Sequence, residues 1–127
     1  MKSREAALRL KRFEADEKRR KVADLEQMIR DFQFMAVDLD RQVQAEEERT
    51  GIRDKSHFTY STLAKAAAQR RDKLRASVAD LQAKLAVALR ERDEAIAALE
   101  KAAAQSDQRD QGRGPRPQDR APGLLLR

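Results

Sequence analysis

Apolar residues recur along this chain in alternating steps of three and four. From Val22 the stripe runs through Leu25, Ile29, Phe32, Ala36, Leu39 and Val43 to Glu46. It returns at Ala67 and continues through Arg71, Leu74, Val78, Leu81, Leu85, Ala88, Arg92, Ala95 and Leu99 to Ala102. This spacing gathers side chains on one narrow stripe of a helix, the width that a second helix covers in a coiled coil. Polar residues fill the positions between. The pattern predicts an all-α chain: two long helices, each with a seam to bury and an outer face left to water.

Helix punctuation agrees. Ser3 precedes Arg4, Glu5 and Ala6 and is a competent N-cap, and neither Pro nor Gly interrupts the chain from there to Arg49. The first helix is therefore expected over about residues 4–49. Gly51 follows directly, where a left-handed C-cap residue belongs. A turn is expected over about 50–57. The second helix is expected over about 58–104, with Asp54, Ser56 and Ser61 all available as caps. A short connection between helices of equal length favours an antiparallel hairpin. With the turn centred near residue 53, facing residues have numbers that sum to about 107. Ile29 then opposes Val78, Leu25 opposes Leu81 and Val43 opposes Ala64, so the two stripes match. A parallel homodimer of straight helices can use the same stripes and stands as the alternative.

The register weakens near the start. Leu8 and Ala15 keep it, while Lys11 and Lys18 occupy seam positions and Leu10 and Phe13 lie off it. Leu10 and Phe13 read either as a local register shift or as an outward-facing patch. At the other end the composition changes. Residues 107–127 hold all three prolines, three of the four glycines and five arginines. The organisation expected is a coiled-coil hairpin over 1–106 and a disordered basic tail over 107–127.

Composition narrows the function. Of 127 residues, 39% are charged and 4% aromatic, the profile of long helices rather than of a globular core. No cysteine occurs and His57 is the sole histidine, so thiolate metal sites and nucleophile–base pairs lack their parts. No catalytic, cofactor-binding or metal-ligating residue is assigned, and the chain reads as a non-enzyme. The run Glu46-Glu47-Glu48 reads as a solvated helix face, and His57 as a turn residue. The first thirteen residues carry no apolar run of the signal-peptide kind. The longest apolar stretches are far too short to span a bilayer. A cytoplasmic chain is expected.

The formal net charge is +6, densest at Lys18-Arg19-Arg20-Lys21. Phosphate binding through counterion release is one use of such a cluster. Acidic residues interleave throughout, however, and no aromatic platform for stacking bases is present. Attraction to an acidic protein surface accounts for the same charge. Off-seam apolar residues carry more information. Phe34 and Val37 lie three apart on the outward side of the first helix, flanked by Arg30 and Arg41, a composition common in protein contacts. Ile52, Phe58 and Tyr60 gather beside the turn, either as a plug for the hairpin or as a docking site.

The N-terminal K-S-R-E and the turn segment G-I-x-D-x-x-H-F (Gly51, Ile52, Asp54, His57 and Phe58) resemble the bacterial flagellar export protein FliJ family, over roughly residues 1–100. The resemblance implies an antiparallel coiled-coil hairpin in the cytoplasmic part of the flagellar type III export apparatus. It implies a general chaperone or escort, similar to the central stalk of rotary ATPases, that serves flagellum assembly and motility. Its partners are then the export ATPase, the cytoplasmic part of the export gate protein and substrate chaperones, with the membrane reached only through them. No cofactor is implied. The tail after Ser106 departs from the family pattern. The partner-binding set expected is Leu10, Phe13, Arg19, Arg20, Phe34, Val37, Phe58 and Tyr60. The competing reading is a basic helical adaptor or nucleic-acid-binding coiled coil.

Overall fold

A computed structural model describes residues 2–112, with side chains over 3–109. It contains two helices, α1 (Lys2–Thr50) and α2 (Thr62–Gly112), joined by a turn. Among the described residues there is no strand. The chain divides into two compact units, one uniting α1 through Arg19 with α2 from Arg90 onward, the other spanning Arg20–Leu89.

The 20–89 unit is the antiparallel hairpin that the two stripes require. Val22, Leu25, Ile29, Val78, Leu81 and Ala88 form one buried cluster, with Phe32, Leu85 and Leu89 half-buried against it. Val43, Ala64 and Ala67 form a second cluster beside the turn, flanked by Leu39, Tyr60 and Ala68. Large residues thus meet large ones in mid-stem, and small α2 residues face Val43 near the turn, where the chains must converge. Register can be read from polar bonds as well. Glu47 pairs with Tyr60 and Glu46 with Ser61, both at the expected sum of about 107. Arg71 reaches further along the partner helix to Asp40, at 2.7 Å. Arg71 occupies a seam position yet keeps only 11% side-chain exposure, because its stem packs in the seam while its guanidinium bonds Asp40 and Asp72.

In the other unit the seam is thinner. Ala15 is fully buried, and Leu8, Ala95, Leu99 and Ala102 are half-buried. Lys18, one of the cations in the stripe, is met across the pair by Glu91 at 3.5 Å. Ion pairing there takes the place of apolar packing.

Helix α1 begins at Lys2, so Ser3, expected as its N-cap, lies inside the first turn. The boundaries differ from the sequence expectation in three further places, each for a local reason. The second helix begins at Thr62 rather than near 58, because Ser61 is the cap used: its Oγ accepts from the Ala64 N–H at 3.2 Å. The turn accordingly extends over 51–61. Helix α2 also continues past 104 to Gly112, so the hexapeptide from Asp107, expected in the tail, is helical. Composition shifts at Asp107, but the first helix breaker is Gly112, and Ser106 and Arg109 line a groove of about 150 Å³ with Arg4, Ala7 and Leu8 of α1. For residues 113–127 the expectation of a disordered tail lies outside the described residues.

The hairpin makes a direct prediction. Cysteines replacing Val43 and Ala64, in a chain with none of its own, should form a disulfide within one chain under dilute oxidising conditions. Non-reducing electrophoresis checks this: a fast-migrating monomer is expected, and dimers alone would indicate the parallel arrangement instead.

Candidate functional site

Helix α1 ends as its sequence dictates. The Gly51 N–H closes the last helical bond to the Glu47 carbonyl at 2.8 Å, and Gly51 then turns to φ 76°, a conformation that residues with a Cβ rarely adopt. The Thr50 hydroxyl accepts from the Ile52 N–H at 3.2 Å. Asp54 next folds an Asx turn. One of its oxygens accepts from the Ser56 N–H at 3.0 Å and from the Ser56 hydroxyl at 2.7 Å. These bonds hold the Asp54 carboxyl below its ordinary range, the hydroxyl bond first. His57 Nδ1 accepts from the Thr59 N–H at 3.1 Å, and its ring stacks on Phe58 with centroids 5.0 Å apart. Asp54, Ser56, His57 and Thr59 thus spend their polar groups on the turn itself.

A latch then ties the two helices together beside it. Ser61 caps α2 while donating its own hydroxyl hydrogen to Glu46 at 2.9 Å. Glu46 also accepts from Arg49 one turn along α1. Tyr60 donates its phenolic hydrogen to Glu47 at 2.6 Å, which raises the Tyr60 pKa. Glu47 is 9% exposed and the Glu46 side chain 12%. The reading of Glu46–Glu48 as a solvated face therefore holds only for Glu48. Sequence spacing gave one usable signal: Glu46 falls on the seam stripe, and an acid there needs a donor from the facing helix.

The residues expected to bind partners do not form one surface. Tyr60 turns inward against Val43, Ala64 and Ala67, and Ile52 is half-buried, whereas Phe58 stands 93% exposed. Of the two, Tyr60 plugs the end of the hairpin and Phe58 stands in solvent. Phe34 and Val37 are both exposed on α1, at 70% and 49%, and Val37 lines a side groove with Gln33, Ala36, Arg75 and Val78. Leu10 and Phe13 are exposed one turn apart in the other unit. This places them in an outward-facing patch rather than in a shifted seam. Arg19 is exposed and bonded to Asp16 at 3.0 Å, with Arg20 exposed beside it. On α2, by contrast, Leu89 packs on the core cluster and Ile96 is half-buried.

Among the described residues no helix is long and apolar enough to cross a membrane, and no group of three or more His, Cys, Asp or Glu is arranged to hold a metal ion. A surface groove beside the seam is lined by Met35, Leu39 and Leu74, with Asp38, Arg70 and Lys73 at its rims. No family model, curated protein or solved structure matches the chain.

The latch predicts an acid-sensitive step. Hydrogen bonds from Arg49 and Ser61 hold the Glu46 carboxyl down to about 2, from an ordinary value of 4.5. A carboxyl with a lowered folded-state pKa adds stability that is complete above the unfolded value and lost as pH falls toward the folded one. Denaturant midpoints should therefore drop between about pH 4.5 and 2 more steeply in the native chain than in Glu46→Gln. Parallel slopes would show that Ser61 and Arg49 do not grip this carboxylate.

Proposed function

We propose that this chain is a non-enzymatic component of the flagellar type III protein export apparatus, acting in the cytoplasm as an escort and stalk-like link between the export ATPase and the export gate protein. The observation that carries the reading is the turn. The segment that resembles the FliJ family, Gly51 through Phe58, closes an antiparallel coiled-coil hairpin, and its residues have distinct physical tasks there. Gly51 takes the left-handed cap, Asp54 makes the Asx turn, His57 accepts from the backbone, and Phe58 is presented to solvent. A generic coiled coil has no need for that combination.

The distribution of exposed groups supports two partner contacts. Paired helix termini are what a stalk inserts into a ring, and the unit holding them carries Leu10, Phe13 and Arg19 on its surface. We assign the ATPase to that unit, together with Arg20 at the junction. Phe34 and Val37, in the 20–89 unit, are assigned to the gate protein. Several of the chain's cations are held by acids, including Lys18 by Glu91, Arg71 by Asp40 and Arg92 by Asp93. A surface neutralised in this way favours protein contacts over the counterion-releasing grip on phosphates.

The assignment predicts separable defects. Phe34→Ala with Val37→Ala should weaken binding to the gate protein by about tenfold or more while sparing the ATPase. Arg19→Glu with Arg20→Glu should do the reverse. All four positions lie off the seam, so circular dichroism should show unchanged helicity. Equal loss of both partners with the fold intact would reject this division, and undisturbed motility in both variants would reject the surfaces.

A further inference from the structure

The two long sides of the 20–89 hairpin are not equivalent. On one side lies a groove of about 510 Å³ between the helices, lined by Met35, Asp38 and Leu39 of α1 and by Arg70, Lys73 and Leu74 of α2. In a coiled coil, residues seven apart share a side. Stepping by sevens from Met35 reaches Met28. From Arg70 the same step reaches Leu63, and from Lys73 two steps reach Val87. All four apolar side chains are exposed: Met28 by 43%, Met35 by 46%, Leu63 by 60% and Val87 by 44%. The opposite side of this unit carries Val37 alone among its large exposed apolar residues, since Phe34 points outward and Phe58 sits at the turn. Unbranched, polarizable methionine suits a contact surface that must adapt to what covers it.

Charge on the same side is split by helix. Asp24, Asp31 and Asp38 recur at sevens along the α1 rim, with Lys21, seven before Met28, as the one base among them. Arg70, Lys73 and Lys84 stand on the α2 rim, with Asp80 as the one acid among them. The side is therefore an apolar strip with an acidic margin along α1 and a basic margin along α2. A surface of this kind is complementary to itself under one operation, a two-fold axis parallel to the helices. That rotation lays α1 of one copy on α2 of the other and places Asp38 at the level of the second copy's Arg70 and Lys73, and Asp24 at the level of Lys84. A two-fold axis across the helices instead sets acid on acid and base on base, which is repulsive.

We propose that this side of the stem is a pairing surface for a second copy of the chain, the two hairpins lying side by side with their turns pointing the same way. The contact is isologous, so each margin meets its opposite twice. Its size is adequate. Residues 21–45 of α1 extend about 37 Å at ~1.5 Å per residue. Two helices about 10 Å apart present a face about 20 Å wide, giving roughly 700 Å² per copy against the ~800 Å² of a standard interface. The interface does not use Phe34, Val37 or Arg19, so it goes beyond the export reading and does not depend on it.

Sedimentation equilibrium of the full chain tests the proposal. A monomer–dimer equilibrium with a Kd on the order of micromolar is expected, weakening as salt screens the margins. Two charge variants sharpen the test. Asp31→Lys with Asp38→Lys makes the side basic apart from Asp24 and Asp80, and Arg70→Glu with Lys73→Glu makes it acidic apart from Lys21 and Lys84. Each variant alone should be monomeric, at least about tenfold weaker in self-association, and an equimolar mixture should pair. Helicity of the separate variants, read by circular dichroism, controls for folding. Orientation is read with Phe58→Cys and a short bismaleimide, which should link the two turns of the dimer. A native chain that stays monomeric at all concentrations, a mixture that fails to pair although both variants are helical, or a dimer whose turns cannot be linked would each overturn the proposal. In the first case the groove belongs to a helix of another protein.

Discussion

Each helix of this protein buries one apolar stripe of about two positions in seven, and that narrowness governs everything else. A stripe so narrow cannot enclose a core of its own. It can be removed from water only by a second stripe of the same width, and the second stripe lies on the same chain beyond an eleven-residue connection. Packing then fixes the stem through Ile29, Val78 and Leu81, while most other side chains stay in solvent. A fold held by one seam leaves long outer faces without structural duty. Those faces are where partners can be met.

The turn adds what the seam lacks, a definite register. Heptads alone permit sliding by one repeat, because each step of seven presents a similar stripe. Glu46 and Glu47 on α1 and Tyr60 and Ser61 at the end of the turn, just before α2, remove that freedom, since their bonds form in one alignment. Arg71 with Asp40 repeats the restriction two turns further along. Buried or half-buried polar pairs of this sort contribute less to net stability than to the choice among alternatives, because any slipped alignment leaves a carboxylate without its donors.

The seam was legible in the sequence almost residue by residue. Val22, Leu25, Ile29, Ala36 and Val43 are buried as their spacing predicts, and Ala67, Val78, Leu81 and Ala88 answer them from the other helix. Periodicity succeeds here because burial on a helix is a property of position alone. The latch was not legible. Glu46–Glu48 looks like any charged helix face until the turn brings Tyr60 and Ser61 over it, and that depends on which of three caps starts the second helix. Partner residues were legible only as departures from the stripe. Exposure separates Phe58, which stands in solvent, from Tyr60, which does not, although both are aromatic and two residues apart.

The central claim is that these outer faces serve the export ATPase and the gate protein. Calorimetric titration of the full chain against each purified partner, and against random duplex DNA at physiological salt, tests it most directly. The account predicts saturable binding to both proteins and no heat of binding with DNA. Silence with both proteins, or affinity for DNA that falls steeply with added salt, would contradict it.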